Sequence, residues 1–130
     1  MKNFLYLSLL LIGLSSCKKE KHTPNNNIFG TWELRREVGG IAGINKTYPA
    51  GNGNKFIFNA DSTFKAYHQS TVADQGTFKI VKNGVDYGNI KFDGIFFNHN
   101  QSGQPVERKT DTLTIGMDFD DGIAATYVRQ

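Results

Sequence analysis

The side chains best equipped for chemistry are few in this 130-residue chain, and they are scattered. There is one cysteine, Cys17, so no internal disulfide and no multi-cysteine zinc module can form. The three histidines, His22, His68 and His99, are far apart in sequence. His68 and His99 can share one end of a barrel and so a two-histidine metal site, but such lone histidines are usually surface residues at strand edges. Asp118-Phe119-Asp120-Asp121-Gly122 is the densest run of carboxylates. A calcium loop of the EF-hand type needs glycine at its sixth position and glutamate at its twelfth. Counted from Asp118, those positions hold Ile123 and Arg129, so the run reads as a solvated turn. Asp61 sits in another turn, and Asp74 and Glu107 have no evident acid–base partner. There is no Gly-x-Ser-x-Gly elbow and no His-Glu-x-x-His. Gly51-Asn52-Gly53-Asn54-Lys55-Phe56 lacks the third glycine of a dinucleotide loop. The expectation is a protein that is not an enzyme and carries no metal and no cofactor.

Cys17 takes its meaning from what precedes it. Lys2 gives a positive start, and the stretch from Phe4 to Leu14 is apolar except for Ser8 and Gly13. Crossing a bilayer as a helix takes about 20 residues, so this run is too short for a lasting span and fits a secretory signal. It ends in Leu14-Ser15-Ser16-Cys17, which resembles the lipobox of bacterial lipoproteins. The resemblance implies that residues 1–16 are a signal peptide cut before the cysteine. It also implies that Cys17 carries a covalent lipid, with its new amine acylated as well. Two or more acyl chains hold a protein stably on a membrane, at about 0.8 kcal/mol per buried methylene.

Residues 17–27 then form a tether. Lys18-Lys19-Glu20-Lys21-His22-Thr23-Pro24-Asn25-Asn26-Asn27 offers nothing to a core and reads as a flexible spacer. Ten such residues span an r.m.s. distance on the order of 17–19 Å. In lipoproteins of this kind an aspartate directly after the cysteine signals retention in the inner membrane. Lys18 holds that position, so the resemblance implies an outer-membrane protein, on the periplasmic side or at the cell surface. The leader and tether also carry the whole formal charge of +3. From Ile28 onward there are 11 basic and 11 acidic residues, so the domain is formally neutral and no nucleic-acid partner is expected.

Residues 28–130 must supply the domain, and their periodicity is that of strands. Trp32, Leu34 and Val38 alternate with Glu33, Arg35 and Glu37. Phe56 and Phe58 precede an Asn59-Ala60-Asp61-Ser62 turn; Phe64 and Ala66 follow it. Phe78 and Ile80 lead to Asn83-Gly84, which reads as a turn. Ile90 and Phe92 end at Asp93-Gly94, and 95–99 reads as a separate strand. Leu113 and Ile115 share a face, and 123–129 closes the chain. About eight short strands with frequent turns and no helical run predict an all-β fold, a small antiparallel up-and-down barrel. Segments 39–54 and 98–107 read as long irregular loops, where binding tends to live.

Gly30-Thr31-Trp32 opens the first strand and Tyr127-Val128-Arg129 ends the last. Together with Gly76-Thr77-Phe78 and Asp111-Thr112-Leu113-Thr114-Ile115, this order of phrases resembles the lipocalin-like domains of small bacterial lipoproteins, within the calycin group. The resemblance implies that Trp32 plugs the closed end of the barrel and that Arg129 packs across it. The barrel pattern, with its many inward aromatics and long flanking loops, leads to the expectation of non-catalytic binding of a small apolar ligand in the barrel mouth. The residues named for that mouth are Tyr48, Phe56, Phe58, Tyr67, Phe78, Tyr87 and Phe92. An eight-stranded barrel either fills with side chains or holds one small ligand, so the same rings also fit a packed interior. The chain is shorter than a typical secreted lipocalin. The rival expectation is a protein-interaction or envelope-structural module with a filled barrel, resting on the two long loops.

Overall fold

The computed structural model describes residues 27–130. The expected signal peptide, Cys17, His22 and the rest of the expected tether up to residue 26 lie outside the described residues. Nine strands and no helix make up the described chain: β1 Gly30–Gly39, β2 Ile44–Thr47, β3 Lys55–Phe58, β4 Thr63–His68, β5 Thr71–Tyr87, β6 Ile90–Phe97, β7 Gln104–Lys109, β8 Thr112–Ile115 and β9 Ile123–Arg129. All neighbours are antiparallel. The pairing β1–β9 closes the sheet, so β1 and β3 to β9 form an eight-stranded barrel. β2 is an extra strand. It extends the edge of β1 beyond β3, pairing with Arg36 to Gly39 while β3 pairs with Gly30 to Glu33.

The alternation of the sequence becomes the inner face of this wall. Trp32, Phe58, Phe64, Phe78, Ile95, Leu113 and Ile115 point inward with Ile28 and form one buried cluster. Phe58 meets Phe78 edge to face at 4.9 Å, and Phe64 meets Phe97 at 4.7 Å. Such ring pairs add about 0.5–1.5 kcal/mol each beyond their buried area. Followed once around the wall, the strand register returns to β1 about twelve residues from where it began. The eight-stranded α/β barrel, whose interior packs solid, has a stagger of about 8. The larger stagger widens the barrel.

The wall departs from the sequence reading in four places. Asn83-Gly84 is not a turn. β5 runs through it with a bulge between Val81 and Val85, and the chain reverses at Gly88, where φ is 67°. Asp93-Gly94 does not end a strand either, because β6 continues across it. A side chain at Gly94 would meet Val85 Cγ2 at 2.8 Å, so this glycine serves a close approach rather than a turn. The segment 39–54 contains β2, and 98–107 contains the start of β7. In both, short polar strands lacked the apolar alternation that marks the others.

Candidate functional site

The two ends of the barrel differ. At the closed end, Trp32 is fully buried and its Nε1 donates to the Ile28 carbonyl at 2.6 Å. The Arg129 guanidinium lies 4.2 Å from the Trp32 ring centroid. Its Nη1 donates to the Phe29 carbonyl at 2.7 Å, and its Nη2 to the Asn27 carbonyl at 3.4 Å. Gly30 is explained by the same contact. Its φ is +121°, and a Cβ there would stand 2.8 Å from Arg129 Nη1. The Gly-x-Trp phrase is thus a backbone slot for the arginine beside the ring it covers.

At the other end the interior opens into a cleft of about 370 Å³ between β1, β2, β3, β4 and β9. Leu34, Phe56, Ala66 and Tyr127 give it apolar surface; Glu37, Lys46, Tyr48, Lys55, Tyr67 and His68 surround these with polar groups. Glu37 is there because of a bulge. The β1–β9 register slips between Leu34 and Arg36, so that Leu34 faces Tyr127 and Glu37 faces Ala125. One extra residue inverts the in–out pattern. Glu37, read as outward from the sequence, turns toward the cleft, and Val38 loses the inward place expected for it.

Tyr48 follows β2, and its N–H donates to the Arg35 carbonyl at 2.8 Å. The Tyr48 hydroxyl donates to Glu37 Oε2 in a short hydrogen bond. That bond, with a smaller effect of burial, raises the Tyr48 pKa above its ordinary value. Tyr127 meets Phe56 edge to face at 5.4 Å. Burial above all, then the charge of Glu37, lifts its pKa well beyond the usual phenol range. Both phenols therefore remain hydrogen-bond donors at neutral pH. Lys46 lies 4.7 Å from the Tyr48 ring centroid and Lys55 lies 5.1 Å from that of Tyr67.

The loop 48–54, the last part of the segment 39–54 expected to be long and irregular, is held on both sides. Buried Glu33 accepts from the Gly51 N–H at 2.8 Å and from Gln130 Nε2 at 2.8 Å, and pairs with Arg35 at 2.7 Å. Asn52 Nδ2 donates to the Leu34 carbonyl at 2.8 Å, and Asn54 Oδ1 accepts from the Gln69 N–H at 3.0 Å. One wall of the cleft is thereby fixed before any ligand arrives, which lowers the ordering cost of binding.

Of the ring residues named from sequence, Tyr48, Phe56 and Tyr67 come together in this cleft. Phe58 and Phe78 lie in the buried cluster at the closed half. Tyr87 and Phe92 sit elsewhere, on the β5–β6 hairpin, around Phe119 of the β8–β9 loop. His68 lines the cleft and His99 does not. Among the described residues no group of three or more metal-binding side chains is found, and Asp118, Asp120 and Asp121 are exposed. Glu37, Lys46, Lys55 and Tyr127 were missed as site residues. Tyr127 had a signal: it stands two residues before Arg129, on the same face of a strand. The bulge that redirects Glu37 left none. No protein-family model, curated protein or solved structure matches the chain.

Proposed function

We propose that the protein is a lipid-anchored lipoprotein of the outer membrane whose lipocalin-like barrel holds a small ligand in the cleft between Tyr48, Phe56 and Tyr127, without catalysis. The observation that carries this reading is the cleft itself. Its volume of about 370 Å³ falls in the range of about 300–1,000 Å³ typical of small-molecule sites, and its lining is about evenly divided between an apolar floor and a polar, charged rim. The ligand that fits has an apolar, ring-sized body for Phe56 and Tyr127 and a polar group for the rim of Glu37, Tyr48 and the lysines.

The anchor reading rests on Leu14-Ser15-Ser16-Cys17 and on where the chain enters the barrel. Asn27, the first described residue, lies at the closed end beside Arg129, at the opposite end of the barrel from the cleft. The test has two arms. Cys17→Ala should move the protein from the membrane to the soluble fraction; continued membrane fractionation sinks the anchor. Anilinonaphthalene sulfonate, an aromatic anion that fluoresces when buried, should bind the wild-type chain and bind about tenfold more weakly to Phe56→Ala. Equal binding to both would sink the cleft as the site.

A further inference from the structure

The barrel wall has one weak seam. β6 and β7 pair only at Gly94–Pro105 and Ile95–Gln104. Beyond those pairs β6 continues for residues 90–93, bonded on its other side to Val85, Asp86 and Tyr87 of β5. β7 continues for residues 106–109, bonded on its other side to β8. Two strand edges thus face each other without pairing. Two causes act together. Pro105 has no N–H to offer, and the Val81–Val85 bulge bends the hairpin so that Tyr87 and Phe92 pack on Phe119 instead. Between the edges lies a groove of about 410 Å³, with Phe92, Val106, Met117 and Ala124 as its apolar part. Its charged lining is Asp93, Glu107 and Asp118 with Lys91, and Glu107 is already paired with Lys109 of the same edge at 3.1 Å. A second groove shares Pro105, Gly116 and Met117 with it and adds Asp121 and Tyr87. Ile90, at the outer end of the edge, is 55% exposed.

An unpaired strand edge is a template for another extended chain, because its free N–H and C=O groups repeat at the strand spacing. Asp93 and Asp118, the lining carboxylates outside any ion pair, select a cationic partner, and the apolar lining asks for an apolar side chain at alternate positions. We infer that this seam is a docking site for an extended lysine- or arginine-bearing peptide segment, added as a strand along residues 90–93 of β6 with an apolar side chain over Phe92 and Met117. It is separate from the cleft by Tyr48 and shares no lining residue with it.

The probe is a ten-residue peptide alternating valine and lysine, titrated into the full chain in detergent and read by fluorescence anisotropy and amide hydrogen exchange. Binding should slow exchange at residues 90–93. N-methylation of alternate peptide residues removes strand donors without touching the protein, and should weaken binding by about tenfold or more. The charge reversals Glu107→Lys and Asp118→Lys, at exposed positions, should together weaken binding by about tenfold and flatten its salt dependence. Three results overturn the inference. One is undiminished binding of the N-methylated peptide. Another is exchange protection confined to the Tyr48 cleft or no binding at millimolar peptide. The third is a peptide-free dimer, seen by sedimentation, that occupies this edge with a second copy of the chain.

Discussion

Each end of the barrel sets a cation over an aromatic ring, and the outcome differs. At the closed end Arg129 covers Trp32 at 4.2 Å; at the open end Lys46 covers Tyr48 at 4.7 Å. The Trp32 ring is wholly out of water, and the guanidinium spends its donors on the Phe29 and Asn27 carbonyls. Tyr48 is half-buried, and its hydroxyl goes to Glu37. A cation over a ring is worth about 0.5–1 kcal/mol in water and about 2 when desolvated. The same contact is therefore a closure at one end and a movable rim at the other. What separates them is the layer beneath: Trp32 joins Phe58, Phe64 and Phe78 in the buried cluster, whereas Tyr48 stands at the rim of a cleft lined by Leu34, Phe56, Ala66 and Tyr127.

The contrast breaks most easily at Trp32. Trp32→Ala should cost about 3–5 kcal/mol in urea unfolding, the range for deleting a buried large aromatic. A loss below about 1 kcal/mol would mean that the strand ladder alone closes the barrel. Arg129→Ala comes next, at about 1–3 kcal/mol, seen as a lower melting temperature. Arg129→Lys should restore little, since an ammonium cannot reach two carbonyls in a fork. If lysine rescues fully, the charge rather than the geometry makes the closure. Gly30→Ala probes the same slot from the backbone, at about 1–3 kcal/mol. At the open end the effects are smaller and depend on pH. A phenol with a higher pKa folded than unfolded stabilises fully below its unfolded value of about 10 and loses that contribution as pH rises through the folded value. Unfolding free energy should therefore fall above about pH 10, and Tyr127→Phe should remove part of that fall. An unchanged alkaline limb would mean that Tyr127 is less shielded than its packing on Phe56 indicates. Tyr48→Phe should change stability by less than about 1 kcal/mol, yet weaken anilinonaphthalene sulfonate binding at the rim.

The closed end was legible in the sequence because its parts obey a strict period. Trp32, Phe58, Phe64 and Phe78 fall on alternating positions, and Gly30 and Arg129 stand where the strand termini place them. The barrel itself was legible for the same reason. The open end was only partly so. Tyr48, Phe56 and Tyr67 were named, but Glu37 reaches the cleft through a bulge, and Lys46 through a four-residue strand exposed along its whole length. Neither leaves a hydrophobic trace. The bulge at Val81–Val85 misled in the opposite sense. Asn83-Gly84 has the composition of a hairpin turn, yet Asn83 takes φ 53° inside a strand, with its N–H donated to Asp93 Oδ1 at 3.0 Å. Register slips are decided between strands, and a single strand's sequence carries only half of that information.

The first and last described segments meet at the closed end, and that has a mechanical side. Gln130 donates its N–H to the Thr31 carbonyl at 3.0 Å, and Arg129 clips Phe29 and Asn27. β1 lies inside the wall, bonded to β3 and β2 on one edge and to β9 on the other. Tension arriving through the N-terminal segment pulls β1 along its own length. It therefore loads both ladders in shear, many hydrogen bonds at once, and the arginine clip takes the first strain. A pull at the β5–β6 hairpin would instead open the two-pair seam with β7 bond by bond. The barrel resists force best at the end where its chain begins.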